Sequence, residues 1–321
     1  MKINKRLKKW LILVIKILII IFSFYFAIYK IVNSCDLIDF KQNVFYFDFN
    51  RFFILFLLLI FMFINWFFEA VKWKISINSL EKINVWKSLK AVWTGVTVGT
   101  ITPNRIGEFG GKIIFLKKEN QVSAIPYTFV ADLSQLLITV CCGIIGFALL
   151  IPYLHFLDID FQEKYNLICI IALIITIFLV SLFLFIDKLF NKLLKIVNLK
   201  KEIIKNVAKI QIKFSEKIKM LLFSFIRYLI FNFQFYLALK YFGIEIGIFH
   251  SLIASSSMYL CVNIIPNLPF LEIGLRSSFS IIFFELFTTQ TTVIVCASLL
   301  IYIINIFIPI IIGSGFLVKH K

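Results

Sequence analysis

The chain has 321 residues, of which 61% are hydrophobic and only 16% are charged. Soluble domains average roughly 45–50% apolar and roughly 25% charged residues, so this composition excludes a soluble catalytic domain of any size. The formal charge of +17 comes largely from lysines clustered between long apolar runs, which is typical of membrane-protein loops and argues against a nucleic-acid partner. The composition therefore predicts an all-α, polytopic integral membrane protein.

Six apolar runs are long enough to cross the membrane, because a helix needs roughly 20 residues to span a hydrocarbon core of about 30 Å. In chain order they are Trp10 to Tyr29, Phe52 to Phe68, Ser123 to Ile151, Leu167 to Ile186, Met220 to Phe242 and Thr291 to Val318. The first run follows a basic segment, as in a signal peptide, but it is long and has no small-residue cleavage site. We therefore expect it to remain as the first spanning helix.

The charges between these runs predict the orientation of the chain, because cytoplasmic loops are enriched in basic residues. The tail from Lys2 to Lys9 and the lysines between Lys188 and Lys219 are expected on the cytoplasmic side. So is the connector that holds Lys72, Lys74, Lys82, Lys87 and Lys90. Acidic stretches at 36–48 and 158–163 fall on the other side. We expect a protein of the cell membrane with cytoplasmic N and C termini.

Two further apolar segments, Ala91 to Gly111 and Ser251 to Gly274, are expected to enter the membrane and turn back. Lys90 and Lys112 flank the first segment and both belong to the cytoplasmic side, so a single crossing between them would violate the charge rule. The same reasoning predicts that the second segment enters from the outside. Two re-entrant hairpins therefore accompany about six spanning helices in the predicted fold.

These two segments match each other in sequence. The first reads SLKAVWTGVTVGTITPNRIGEFGGK from Ser88, and the second reads SLIASSSMYLCVNIIPNLPFLEIGLR from Ser251. Ser88 and Ser251 are 163 residues apart, and so are Pro103 and Pro266. The match predicts an inverted repeat within a single membrane domain of residues 1–321, with repeat one at about 50–151 and repeat two at about 220–318. Secondary transporters are commonly built in this way.

Charged residues follow the proline of each segment. Arg105, Glu108 and Lys112 are spaced so that one helical face would present all three, and Glu272 and Arg276 repeat a pair four residues apart. Charges deep in a membrane cost at least roughly 2.5–3.5 kcal/mol each, so we expect these five residues to bind a substrate head group. The alternative is that Arg105 with Glu108, and Glu272 with Arg276, are structural pairs that only stabilise the hairpins.

Four residues are expected to shape the hairpins. Pro103 and Pro266 end the entering helices, because proline interrupts a helix, and Gly107 and Gly274 allow backbones to approach closely. The run GEFGGK resembles a phosphate loop but is one residue short and lacks its Ser or Thr, so no nucleotide cofactor is predicted. The six cysteines show no CxxC spacing and no pairing with histidine, so no metal site is predicted.

Several other polar residues permit two interpretations. Asp132, Ser134 and Gln135 in the third of the six predicted spans either line the same cavity or merely face other helices. Glu69, beside Lys72, is expected to form an interfacial pair rather than to bind a ligand. The basic linker 187–219 has apolar residues at roughly helical spacing, so it either lies on the cytoplasmic leaflet with its lysines toward anionic lipid or only sets the topology.

The motif TPNRIGEFGGK, followed about two dozen residues later by ADLSQLL, resembles the flippase-like transmembrane domain of the lysylphosphatidylglycerol synthase family. The likeness covers about Phe52 to Val318. It implies a role in moving an aminoacylated or glycan-carrying lipid between leaflets. The matching residues are Pro103, Arg105, Gly107, Glu108, Pro266, Gly274 and Arg276.

The chain departs from the family pattern in its second hairpin. Family members often end a glycine-rich run with Arg-Glu, whereas here Glu272 precedes Gly274 and Ser277 follows Arg276. The departure leaves the substrate type open. The soluble aminoacyl-transferase domain of the synthases is not found in these 321 residues. The resemblance therefore does not imply synthase activity.

Three functions remain open on the sequence. The favoured one is a flippase that moves a phospholipid or polyprenyl-linked lipid with an anionic or glycan-linked head group, without catalytic residues. The second is a lipid-dependent glycosyltransferase that uses Asp36 and Asp39 of the first outer loop. The third is a non-transporting scaffold for a partner enzyme that modifies lipids.

Overall fold

The computed structural model describes residues 48–102, 105–154, 160–188, 212–265 and 272–319, together with Tyr25 and Tyr29. Every regular element in these ranges is a helix, which confirms the predicted all-α class. The helices are α1 (Phe49–Ile77), α2 (Val85–Thr100), α3 (Gly107–Ile113), α4 (Lys118–Leu150), α5 (Asp160–Leu184), α6 (Phe214–Tyr241), α7 (Ile248–Ile264), α8 (Glu272–Phe284), α9 (Thr291–Tyr302) and α10 (Ile308–Lys319). A 3-10 turn, Ile151–Tyr153, follows α4, and a π-helical turn, Ile303–Phe307, joins α9 to α10.

Five helical stretches of the described chain are long and apolar enough to cross a membrane. They are Phe49–Ile77, Lys118–Tyr153, Lys164–Leu184, Phe214–Tyr241 and Thr291–Lys319. These stretches coincide with five of the six predicted spans, which confirms a multi-pass membrane protein. The remaining span, Trp10 to Tyr29, lies outside the described residues apart from Tyr25 and Tyr29, and so does most of the basic linker 187–219.

The two segments predicted to re-enter each form a pair of packed helices. Hairpin 1 consists of α2 and α3, and hairpin 2 consists of α7 and α8; within each hairpin the two helices pack against each other. Pro103 and Pro266, which were predicted to end the entering helices, lie outside the described residues. The entering helices end close to both prolines, at Thr100 and Ile264. Whether either hairpin turns inside the membrane stays a prediction.

The hairpins pack against helices from the other half of the chain. The α2 helix of hairpin 1 contacts α10, α7 of hairpin 2 contacts α4, and α1 contacts α6. Small residues permit these contacts. A Cβ at Gly146 in α4 would lie 2.5 Å from the Cβ of Ser256 in α7, and a Cβ at Gly313 in α10 would overlap the carbonyl oxygen of Trp93 in α2. Contacts of this kind, in which a hairpin of one half packs against a helix of the other, are expected of two related halves. The inverted repeat itself stays a prediction.

Glycines bring the two helices of hairpin 1 into direct backbone contact. A Cβ at Gly111 would lie only 2.7 Å from the Cα of Gly95. A Cβ at Gly95 would lie 2.8 Å from the Cγ of Lys112. Side chains larger than hydrogen would separate α2 from α3 at this point. The contact holds α3 in place and so fixes the positions of Glu108 and Lys112.

Glu81 connects the segments that flank hairpin 1 through hydrogen bonds. Its carboxylate accepts hydrogen bonds from Lys87 Nζ at 3.1 Å, from the Lys117 backbone N–H at 3.0 Å and from Asn120 Nδ2 at 3.1 Å. Burial disfavours ionisation of this carboxyl, but the bonds from Lys117, Asn120 and Lys87 outweigh that effect and lower its pKa from 4.5. The loop before α2 is thereby tied to the start of α4.

Candidate functional site

A cavity of about 520 Å³ lies between the two hairpins and is bordered on its other sides by α1, α4, α6 and the π-helical turn. Eight charged side chains of the described chain line it. They form two clusters of ion pairs, one between the hairpins and one around Glu69. Charges in a membrane protein are costly to bury without a partner, so the pairing within each cluster decides what the cavity can bind.

The first group, the hairpin cluster, consists of Arg105, Glu272 and Arg276. Arg105 Nη2 donates to Glu272 Oε2 at 2.8 Å, and Arg276 Nη2 donates to Glu272 Oε1 at 2.5 Å. Glu272 and Arg276 stand four residues apart on α8, one helical turn from each other. Arg105 belongs to hairpin 1, so the ion pair joins the two hairpins. Two cations share one carboxylate in this cluster.

Arg105 has a left-handed backbone, with φ at 56°, and among the described residues it is the only one other than glycine with a positive φ. Such a conformation costs on the order of 1–3 kcal/mol, so surrounding contacts must hold it. The prediction that one helical face presents Arg105, Glu108 and Lys112 is wrong, because α3 begins only at Gly107. Arg105 therefore stands before the helix that carries Glu108 and Lys112, and its side chain pairs with Glu272 of the other hairpin.

The second group, the Glu69 cluster, consists of Glu69, Lys72, Glu108, Lys112, Asp132 and Arg227. Lys112 is its centre. The Lys112 Nζ lies 2.8 Å from Glu108 Oε1, 2.8 Å from Asp132 Oδ1 and 3.2 Å from Glu69 Oε1. The Lys112 side chain is fully buried, and the cluster ties α3 to α1 and α4. Glu108 therefore pairs with Lys112 and not, as the structural alternative supposed, with Arg105.

Glu69 also forms ion pairs with two further cations. Lys72 Nζ lies 2.7 Å from Glu69 Oε2, and Arg227 Nη1 pairs with the same oxygen. Arg227 additionally donates from Nε to Asn65 Oδ1 at 2.7 Å and from Nη1 to Gln135 Oε1 at 3.0 Å. Three cations and three carboxylates thus neutralise one another. Lys72, which was assigned to the cytoplasmic connector, is a fully buried member of this cluster.

The carboxylates of Glu69, Glu108 and Asp132 lie within 4.8 Å of one another, which is close enough to hold a metal ion. The Lys112 ammonium contacts all three of them. A metal ion would have to compete with this ammonium for the same oxygens. The arrangement favours a lysine-centred ion cluster over a metal site.

Aromatic rings face the arginines of the cavity. The guanidinium carbon of Arg227 lies 5.6 Å from the Trp66 ring centre and 5.9 Å from that of Phe231. The guanidinium carbon of Arg276 lies 5.4 Å from the Tyr259 ring centre. These distances permit cation–π attraction, which helps to hold a partly desolvated arginine in position.

Four of the five residues predicted to bind the head group line the cavity. They are Arg105, Glu108, Glu272 and Arg276. Lys112 lies behind the wall, buried among its three carboxylates. The two glycines predicted to shape the hairpins are the first residue of α3, Gly107, and a buried residue of α8, Gly274.

The polar residues of α4 divide between the two interpretations. Asp132 and Gln135 line the cavity. The hydroxyl of Ser134 instead lies 2.9 Å from that of Ser224 and joins α4 to α6. Glu69, which was predicted to form an interfacial pair, does pair with Lys72 but also lines the cavity.

Arg227 was missed by the sequence analysis, although it lines the cavity and pairs with Glu69. The signal was present. Arg227 stands inside the apolar run from Met220 to Phe242, and an ionisable residue within a spanning helix usually faces the protein interior and a partner.

The family model for the lysylphosphatidylglycerol synthase TM region matches residues 13–313. The chain belongs to this family. No curated protein and no solved structure matches the chain significantly. Membership of the lysylphosphatidylglycerol synthase TM region family confirms the resemblance drawn from TPNRIGEFGGK and indicates a membrane role related to lipids. The charged cavity lies within the residues that the family model matches.

Proposed function

We propose that the protein is a flippase that moves a lipid between the two leaflets and binds the lipid head group in the cavity. The observation that carries the proposal is the hairpin cluster, in which Arg105 and Arg276 share the single carboxylate of Glu272 at the cavity wall. Guanidinium groups match the geometry of phosphate and can donate two parallel hydrogen bonds to it. A phospholipid or polyprenyl-linked lipid would supply that phosphate.

The balance of charge favours an anionic head group. The Glu69 cluster has equal numbers of cations and carboxylates, whereas the hairpin cluster has one cation in excess. An uncompensated charge in a low-dielectric site is costly. A phosphate bound beside Arg105 and Arg276 would neutralise the excess.

The lengths of the hairpin helices support a re-entrant arrangement. α3 has 7 residues and α2 has 16, which corresponds to about 10 Å and about 24 Å, whereas the hydrocarbon core is about 30 Å thick. Helix ends that stop inside a membrane need protein or water around their free backbone groups. The cavity that Arg105 and Glu272 line would provide such surroundings for the described ends of the hairpin helices.

A stripe of exposed apolar residues on α4 would let a lipid reach the cavity from the side. Val122, Ile125, Phe129 and Leu136 are exposed and recur at helical spacing, so they share one face. Leu136 is 41% exposed and also lines the cavity, as does Asp132, which stands one helical turn before it on α4. A head group could enter here while its acyl chains stay against the stripe.

The proposal is tested by transport in reconstituted vesicles. The vesicles contain fluorescent phosphatidylglycerol, and a membrane-impermeant reductant is added from outside. The measured quantity is the fraction of the fluorescent lipid that the reductant reaches over time. Arg105→Gln and Arg276→Gln should each slow transport at least about tenfold, because losing a hydrogen bond between charged groups costs roughly 1.5–3 kcal/mol and 1.4 kcal/mol is tenfold. Lys219→Gln removes one charge from an exposed position of α6 and serves as the matched control.

Two outcomes would contradict the proposal. Wild-type protein that moves phospholipid and polyprenyl-linked lipid no faster than empty vesicles would exclude a flippase and favour the scaffold. Glycosyl transfer that is lost in Asp36→Asn would favour the enzyme. Asp36 and Asp39 lie outside the described residues.

A further inference from the structure

The Glu69 cluster is neutral as a whole, but its charges are unevenly placed. Two of its three cations pair with the same oxygen of Glu69. Among the described residues, Glu108 and Asp132 share the third cation, Lys112, whose Nζ lies 2.8 Å from a carboxylate oxygen of each. Glu108 and Asp132 are called the carboxylate pair below. The pair has one negative charge more than the single ammonium that it shares can balance.

The carboxylate pair faces the cavity. The side chains of Glu108 and Asp132 are 17% and 29% exposed, and both line the cavity. The side chain of Glu69 is only 4% exposed, and that of Lys112 is fully buried. Solvent that enters the cavity can therefore reach the pair. A proton delivered by this solvent would neutralise the excess negative charge, which is costly to hold in a low-dielectric site.

The hairpin cluster lies next to the carboxylate pair. A Cβ at Gly99 of α2 would lie 3.2 Å from the Cβ of Glu108 and 3.6 Å from the Cβ of Arg105. The side chain of Glu108 therefore starts beside the arginine that pairs with Glu272. An anion bound by Arg105 would share the cavity with the carboxylate pair, and like charges repel each other at short range. Protonation of the pair would remove this repulsion.

The other charged and titratable groups around the pair do not remove its excess charge. On the elements packed against α3 and α4, the groups that line the cavity or contact the pair are Glu69, Lys72, Arg105, Lys112, Arg227, Tyr228, Tyr259, Glu272 and Arg276. The cations in this set other than Lys112 pair with Glu69 or with Glu272. Tyrosines are neutral near pH 7. The pair is thus the group in the described cavity wall that a proton would balance.

We propose that the carboxylate pair takes up one proton when an anionic head group binds to the hairpin cluster, so that lipid and proton cross the membrane together. The proton passes from a hydronium ion to a carboxylate oxygen and returns to water on the far side when the head group leaves. The inference rests on the proposed function and names its coupling ion. Such coupling is reciprocal, because the bound anion favours the proton and the bound proton favours the anion.

The coupling predicts which gradient drives transport. A lipid with one negative charge and one proton are neutral together, so a pH gradient drives their joint movement and a membrane potential does not. The lipid should move from the acidic side to the alkaline side. One pH unit should concentrate it about tenfold on the alkaline side, because one proton is moved with each lipid.

The experiment uses vesicles that contain the full chain and whose exterior is one pH unit more acidic than the interior. A trace of fluorescent phosphatidylglycerol is added to the outer leaflet, and the impermeant reductant measures the outer fraction once it is constant. Wild-type protein should leave about one tenth of the label outside, whereas uncoupled movement would leave about one half. A potassium–proton exchanger that collapses the gradient should restore about one half. Vesicles without protein give the spontaneous movement, which is subtracted.

Removing either carboxylate should abolish the response to the gradient. In Asp132→Asn or Glu108→Gln, the remaining carboxylate is balanced by Lys112 and has no excess charge for a proton to neutralise. The label should then distribute equally between the leaflets. A variant that moves no lipid leaves all the label outside, so lost coupling differs from lost transport. Glu119→Gln removes an exposed carboxylate from the first turn of α4 and should retain the tenfold gradient response.

Proton uptake can also be measured without transport. Short-chain phosphatidylglycerol is bound to the protein in detergent, and calorimetry in buffers with different heats of ionisation gives the number of protons taken up. The wild type should take up one proton per bound lipid. Asp132→Asn should take up none, and Glu119→Gln should behave like the wild type.

The outcomes separate this inference from the proposed function. If the wild type distributes the label equally despite the gradient, proton coupling is overturned and the flippase proposal stands. If all the label stays outside in wild-type vesicles, the flippase proposal is overturned, and proton uptake on binding still tests the carboxylate pair. Binding without proton uptake would overturn the inference whatever the transport result.

Discussion

The hairpin cluster and the Glu69 cluster border one cavity but differ in their balance of charge and in how deeply their cations are buried. In the hairpin cluster two arginines share Glu272, and the Arg105 side chain is 33% exposed. In the Glu69 cluster three cations meet three carboxylates, and the Lys72 and Lys112 side chains are fully buried. The first cluster retains an excess charge that faces the cavity, whereas the second is neutral.

The difference shows that buried charge alone does not identify a binding site. A balanced cluster satisfies itself and joins helices, so disrupting it should reduce stability. A cluster with an excess cation at a cavity wall has capacity for a ligand, so disrupting it should mainly reduce transport. The following predictions test this division, beginning with the largest expected effect.

Glu69→Gln should lower the free energy of unfolding by about 3–5 kcal/mol, because it leaves Lys72 and Arg227 buried without their shared carboxylate. The change can be measured by unfolding in detergent. Glu245→Gln, at an exposed position before α7, should unfold like the wild type. If the two variants proved equally stable, Glu69 would have no structural role.

The close contact of α2 with α3 can be tested with two adjacent glycines. Gly111→Ala should cost about 1–3 kcal/mol, because its Cβ would lie 2.7 Å from the Gly95 Cα. A Cβ at Gly110 would meet no atom within 4 Å, so Gly110→Ala should be neutral or stabilise α3 by up to about 1 kcal/mol. Equal effects on unfolding would show that hairpin 1 is not held by this contact.

The pairing of Arg105 with Glu272 should give a smaller effect. A double-mutant cycle with Arg105→Gln and Glu272→Gln should show a coupling of about 1 kcal/mol in unfolding, because Arg105 is partly exposed. The same cycle with Glu245→Gln in place of Glu272→Gln should be additive, since Glu245 stands in an exposed loop. No coupling between Arg105 and Glu272 would mean that the hairpins are joined by other contacts.

Much of the fold could be predicted from the sequence, because apolar runs reveal spanning helices directly. Five predicted spans match the described helices, and both predicted hairpins break next to their prolines. Four of the five predicted site residues line the cavity for a related reason. A charged residue that follows the end of an apolar helix inside a membrane segment is costly to expose to lipid, so it is expected to face the protein interior.

The pairing of the charges could not be predicted in the same way. Sequence spacing joined Arg105 to Glu108, three residues away, whereas its partner Glu272 is 167 residues away. No local pattern signals the left-handed turn that redirects Arg105. Lys72 was counted with the connector because of its neighbours in sequence, although its position on α1 turns it toward Glu69. Contacts between distant segments depend on helix packing, which a single sequence does not specify.

The π-helical turn at Ile303–Phe307 has a consequence for everything that follows it. A π turn closes its hydrogen bond over one more residue than an α turn does, so the chain after Phe307 is rotated by about 100° relative to an unbroken α-helix. That rotation sets which side of α10 presents Gly313 to Trp93. Deleting one residue from the turn would therefore rotate α10 about its own axis, and Gly313 would no longer face Trp93 of hairpin 1.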